Sequence, residues 1–296
     1  MLRAIAIFAL SNTIVLFTFC TGLAARPAEL RQVFQRPALY GRALAVILVA
    51  VPLVAYALVR LLRLPPVAAG AIVLTAVCPG APLLVRHAKS LGASVTTSLN
   101  LLLLLLLCTL VSVPLWVAIL DRVMGLELQA RPGLVLSTLL VKIFPALLVG
   151  MTIQHFFPRV AKVLAVWGNR LFLVLLVAVA VLGIYLAAPR LRDLGGATVL
   201  ALLVLVSASA FLGHWAGGPR LEDRKAVALA AALAPPALTM TIITQSYPRL
   251  QALHVAAVVG AIVLVRLLGL IPYKAWAKRR GRAERAGRLP PGSVPT

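Results

Sequence analysis

Apolar runs of about twenty residues recur along the whole chain, and they leave few folds open. A bilayer core about 30 Å thick needs about 20 helical residues to cross it. Read with that window, the 296 residues hold nine candidate spans, at approximately 4–25, 39–62, 65–86, 93–120, 133–156, 165–188, 196–217, 224–246 and 251–273. Helix breakers fall between them, among them Pro27, Pro37, Pro65-Pro66, Pro132-Gly133, Pro158, Pro189, Gly217-Gly218-Pro219 and Pro248. With 62% hydrophobic and 12% charged residues, the chain has more apolar surface than a soluble fold can hide. Lipid solvates that surface, and backbone crossing lipid must bond to itself, which means α-helix or a closed barrel. Runs of this length and composition are helical, so an all-α integral membrane protein with about nine transmembrane helices is expected. The first run is too long and too polar at Ser11-Asn12-Thr13 for the usual signal-peptide core, and reads as a retained span.

The net charge of +22 suggests nucleic acid only if the lysines and arginines lie on a soluble surface. They lie between the apolar runs instead. Placing the N-terminus outside puts 19 of the 29 on inner loops and the C-terminal segment, and 8 on the outer side. The remaining two, Lys142 and Arg266, lie within spans. Positive charge is retained on the cytoplasmic side, so a multi-pass inner-membrane protein with its N-terminus out and C-terminus in is expected. Residues 1–273 read as a single transmembrane domain and 274–296 as a basic, disordered cytoplasmic tail. Nucleic acid is not an expected partner; the lipid bilayer is. Oligomeric state is not legible.

The three cysteines, Cys20, Cys78 and Cys108, sit apart inside apolar runs, with no metal-ligand spacing. No nucleophile is paired with a base and no acidic cluster is placed to hold Mg²⁺, so the chain is not read as an enzyme.

Two spans are broken internally. The third contains Cys78-Pro79-Gly80-Ala81-Pro82 and the eighth Ala234-Pro235-Pro236. Proline removes a helical donor and clashes with the preceding turn. Such backbone is tolerated at membrane depth only where it is buried in protein or lines a cavity. Each break lies in the middle span of a group of three, spans 2–4 and 7–9, and the groups begin on opposite sides of the membrane. That is the layout of an inverted repeat whose two crossed broken helices meet at a binding site near the midplane. Two unrelated proline kinks are the competing explanation.

At these residues the sequence resembles the bile acid:sodium symporter family. The likeness runs through Phe19-Cys20-Thr21-Gly22-Leu23, Arg36-Pro37, Val51-Pro52-Leu53, Leu64-Pro65-Pro66 and Cys78-Pro79-Gly80. It resumes at Glu222 to Leu229, Tyr247-Pro248 and Ile271-Pro272-Tyr273. Cys-Pro-Gly is its most specific piece. The resemblance implies a core of spans 2–4 and 7–9 (residues 39–120 and 196–273) packed on a panel of spans 1, 5 and 6 (4–25, 133–156 and 165–188). It also implies transport of organic anions, with Na⁺ as coupling ion and no other cofactor. The departures bear on that ion. The family's Ser-Asn pair after Cys-Pro-Gly is replaced by Ala81-Pro82-Leu83-Leu84, and its eighth-span Glu and Gln-Asn pair by Ala230, Ala234 and Pro235. None of the seven acidic residues lies inside a predicted span.

The substrate-site candidates are therefore Cys78, Pro79 and Gly80 at the first break, with Pro235, Pro236 and Thr239 at the second. Thr97, Ser98 and Asn100 form a polar face early in the fourth span, Asn12 sits near mid-depth in the first, and Lys142 is near the centre of the fifth. A small organic anion is the expected partner. For the hydroxyls and amides, bonds to helix carbonyls or across helix contacts are the competing use. Lys142 is a costly mid-span charge that could attract an anion. Arg266 is expected to snorkel to the interface. The alternative reading is a degenerate relative acting as an uncoupled facilitator or membrane sensor.

Overall fold

The computed structural model describes residues 2–25, 27–80, 83–124, 132–187, 195–235, 238–239, 242 and 249–287. The protein is an all-α membrane protein, and each predicted span holds helix among these residues. Helix α1 is Leu2–Ala24 and α2 is Pro27–Gln35. Helix α3 is Pro37–Leu61, α4 is Pro66–Val77 and α5 is Leu84–Leu91. Helix α6 is Val95–Met124, and α7 joins Pro132–Thr138, a π turn at Leu139–Ile143 and Phe144–Phe156. Helix α8 is Pro158–Ala187, α9 is Gly195–Ala216, α10 is Leu221–Ala232, α11 is Arg249–Gly269 and α12 is Ile271–Gly287. Among the described residues, five helical runs are long and apolar enough to cross a membrane unaided.

Proline shapes several of these helices without ending them. In α3 a π turn at Val46–Ala50 precedes Pro52. Pro52 has no N–H for the carbonyl of Leu48, and the indole Nε1 of Trp116 donates to that oxygen instead, at 2.8 Å. A side chain from span 4 thus satisfies the polar group that proline frees in span 2.

Half-helices α4 and α10 are built differently from the rest. Each is 12 residues long, about 18 Å at 1.5 Å per residue, and so reaches just past the middle of the hydrocarbon core. Both are buried on every face, α4 from Ala68 to Val77 and α10 from Lys225 to Ala232. Their Ala-rich surfaces let neighbouring helices approach closely. A Cβ on Gly213 of α9, for instance, would stand 2.8 Å from the Cα of Ala228. Lipid receives the outer faces of the long helices, as at exposed Val111 and Leu115 of α6 or Val174 and Val177 of α8.

The packing has an internal two-fold pattern. Helix α4 packs on α11, and α10 packs on α6; α3 packs on α4, as α9 does on α10; and α3 touches α9. Exchanging α3, α4 and α6 for α9, α10 and α11 maps the first four of these contacts onto one another in pairs and the last onto itself. A second cluster joins α1, α7 and α8 to one another, with α8 also lying against α11.

Two segments differ from expectation. Residues 274–287, expected to be disordered, are helical within α12. Ala, Lys, Arg and Glu there are good helix formers, and Tyr273 and Trp276 pack with His214 of α9 to hold the helix against the bundle. The basic stretch after span 1, read as a loop, contains α2.

Candidate functional site

Both half-helices stop at their C-terminal ends, and they stop facing each other. Helix α4 ends where Cys78 turns to extended backbone (φ −93°, ψ 93°), and α10 ends where Leu233 does the same (φ −88°, ψ 138°). The last regular bonds are Cys78 N–H to Leu74 O and Leu233 N–H to Leu229 O. Proline follows one residue later in the first break and two residues later in the second. Pro79 offers no N–H to the carbonyl of Thr75, and Pro235 offers none to that of Ala231. Gly80 then takes φ +94°, a conformation costly to any other residue, so the chain can leave the helix axis.

Thr75, Cys78 and Pro79 from the first break, Ala231, Leu233 and Ala234 from the second, and Arg266 of α11 line one cavity. The free space among them is about 10 Å³, room for about one water molecule. Beyond the second break, buried Thr239 donates its hydroxyl to Pro235 O at 3.2 Å and lies beside the Cys78 thiol. Of the predicted residues, Cys78 and Pro79 line the cavity, Thr239 lies against Cys78, and Gly80 and Pro235 adjoin the lining in sequence.

Other predicted residues lie elsewhere. The Thr97 hydroxyl donates to Asp223 Oδ1 at 2.7 Å, Ser98 bonds back to Ser94 O, and the Asn100 amide donates to Tyr40 Oη at 3.2 Å. These three begin α6 at the basic end of the bundle. At the level of the break, α6 presents Leu102, Leu105 and Leu106 beside Gly80. Two helical turns separate Thr97 from Leu105, about 12 Å of rise. Lys142 is half-buried on the π turn of α7 and does not line the cavity. Asn12 lies on α1, but its side chain is outside the described residues, as is Pro236.

Asp223 and Arg266 carry charge that the sequence reading misplaced. Asp223, expected in a loop, is buried in the first turn of α10 and forms an ion pair with Arg36 at 2.8 Å. Together with Thr97 and the Ser94 N–H to Glu222 O bond, it ties the starts of α3, α6 and α10 together. Arg266, expected to snorkel, is 5% exposed. Its Nε and Nη2 are buried and have no hydrogen-bond partner among the described residues. Its spacing was the available signal: it falls on the stripe of Val259, Ile262 and Leu270, which faces the core.

The fold and this site define an integral membrane protein organised around two interrupted helices. The sequence model described as the Sodium Bile acid symporter family matches residues 12–190, more than half of the chain. The protein belongs to that family, a family of membrane transporters. The match contains the first break and ends before α9, so the second break lies outside it. No individually curated protein matches the sequence.

Sodium, which the family implies, does not fit the residues at this cavity. A hard cation is held by several oxygens, commonly including a carboxylate. Among the described residues no acidic side chain lines the cavity, the Thr75 hydroxyl is turned to Ala71 O, and a guanidinium already occupies the wall.

Proposed function

We propose that the protein is a secondary transporter of small organic anions that works by alternating access about the two crossed breaks. What carries this reading is the cavity itself: two half-helices, entering from opposite ends, stop near mid-depth and share one small chamber. Ligand pockets for drug-sized molecules run about 300–1,000 Å³, so with about 10 Å³ free between the breaks a solute enters only when core and panel move apart, as alternating access requires. Cys78, Pro79, Gly80, Pro235 and Thr239 form the substrate chamber. The α1/α7/α8 cluster serves as the panel against which the core rocks, and Asn12 and Lys142 belong to that panel. The charge bias supports an inner-membrane protein with its N-terminus outside. The proposal assigns the protein no chemical reaction.

The test is counterflow of radiolabelled pyruvate and benzoate in proteoliposomes. A variant with both breaks made helix-compatible, Pro79→Ala/Gly80→Ala/Pro235→Ala, is expected to remain in the membrane and lose at least about tenfold in exchange, the equivalent of about 1.4 kcal/mol. Equal exchange by the variant would remove the breaks from the mechanism. No exchange by the wild type would remove the function.

A further inference from the structure

The cavity holds a buried cation that has no acidic partner among the described residues. Arg266 is 5% exposed, its Nε and Nη2 lack partners among the described residues, and no acidic side chain lines the chamber with it. Burying an unpaired guanidinium is among the more costly things a fold can do. What offsets part of that cost is the direction of the half-helices. Both α4 and α10 point their C-termini at the chamber, and each helix end carries about half a negative charge on its free carbonyls. Pro79 and Pro235 ensure that the carbonyls of Thr75 and Ala231 have no helical donor. Two negative helix ends thus converge on a place where a cation is favoured, and the cation there belongs to the protein.

We infer that Arg266 is a built-in cation of the transport site, which binds the planar carboxylate of a small, otherwise apolar anion without Na⁺. The guanidinium presents parallel N–H donors that match a carboxylate bidentately. The remaining lining, Ile47, Val51, Ala76 and Leu233, is apolar and suits a short hydrocarbon body. A mobile sodium ion at the same place would meet a like charge and find no carboxylate. The family's coupling ion is in this way replaced by a fixed one. This inference rests on the anion-transport reading and goes beyond it, to the ligand class and the independence from sodium.

The experiment uses detergent-purified full-length protein, with pyruvate, 2-oxoisovalerate and benzoate as probes. Binding and melting temperature are measured in choline chloride and in sodium chloride of equal ionic strength. Wild type is expected to bind at least one probe with the same Kd in both salts and to melt higher when it is bound. Arg266→Met is expected to lose about 10–100-fold in affinity and to melt several degrees higher than wild type without ligand, because an unpaired buried charge is gone. Arg266→Lys keeps the charge but not the fork, and is expected to fall between the two. A merely structural arginine gives the opposite stability change, so a lower ligand-free melting temperature for Arg266→Met overturns the inference. Binding that requires sodium, or survives unchanged in Arg266→Met, also overturns it and leaves anion transport standing. Absence of binding in either salt, with no counterflow, removes both.

Discussion

Alanine at Gly150 is expected to destabilise the protein by about 3 kcal/mol, although alanine is the better helix former. Gly150 of α7 meets Gly22 of α1 at a crossing where the two backbones touch. A Cβ on Gly150 would lie 2.9 Å from Leu23 N and closer still to Phe19 O, and one on Gly22 would run into Leu147 O. These neighbours are main-chain atoms, which cannot rotate away, so the helices must separate. Membrane helices associate largely by such close packing, with little hydrophobic drive. Gly41 of α3 provides the contrast, since a Cβ there meets nothing within 4 Å. Gly41→Ala should therefore stabilise by about 0.5–1 kcal/mol. Unfolding by SDS in mixed micelles measures both. A neutral Gly150→Ala would show that α1 and α7 do not approach as described.

Removing Arg36 is expected to cost about 3 kcal/mol and to hurt more than removing its partner as well. Asp223 is 4% exposed at its side chain, whereas Arg36 is 32% exposed. Arg36→Ala leaves a buried carboxylate with the Thr97 hydroxyl as the donor described for it. Breaking a buried pair from one side typically costs 3–5 kcal/mol, and the partial exposure of Arg36 puts this case at the low end. Arg36→Ala/Asp223→Asn discards the stranded charge and should recover part of the loss, a non-additivity that a double-mutant cycle reads directly. If the double variant is less stable than Arg36→Ala by the full cost of Asp223→Asn alone, the two side chains do not interact.

The membrane class, the spans and both breaks were legible because each rests on a local property, the length of an apolar run or a proline within it. The pairing of the breaks was legible for a topological reason: Cys78-Pro79-Gly80 and Ala234-Pro235 occupy the same place in two groups of three spans. Burial of charge was harder to read. Arg266 lies close enough to a span end to snorkel, and only the rotation of α11 decides that it points inward. Asp223 looked like loop because a helix N-terminus and a polar connection share the same composition. Thr97, Ser98 and Asn100 were read as one face, but Thr97 bonds Asp223 of α10, Ser98 its own helix and Asn100 Tyr40 of α3, and none of them lines the chamber. The helix α12 was hidden by its charge, which resembles that of a disordered segment until Tyr273 and Trp276 are seen to anchor it.

The meeting of the two breaks can be measured by bridging them. Cys78 lies beside Thr239, so Thr239→Cys in a Cys20→Ala/Cys108→Ala background creates a thiol pair across the chamber. With a protease site inserted between Ala187 and Gly195, mercuric ion should join the two halves, leaving them as one band after cleavage with a single mercury per chain. Separate halves, each thiol carrying its own mercury, would contradict the shared chamber on which the proposed transport depends.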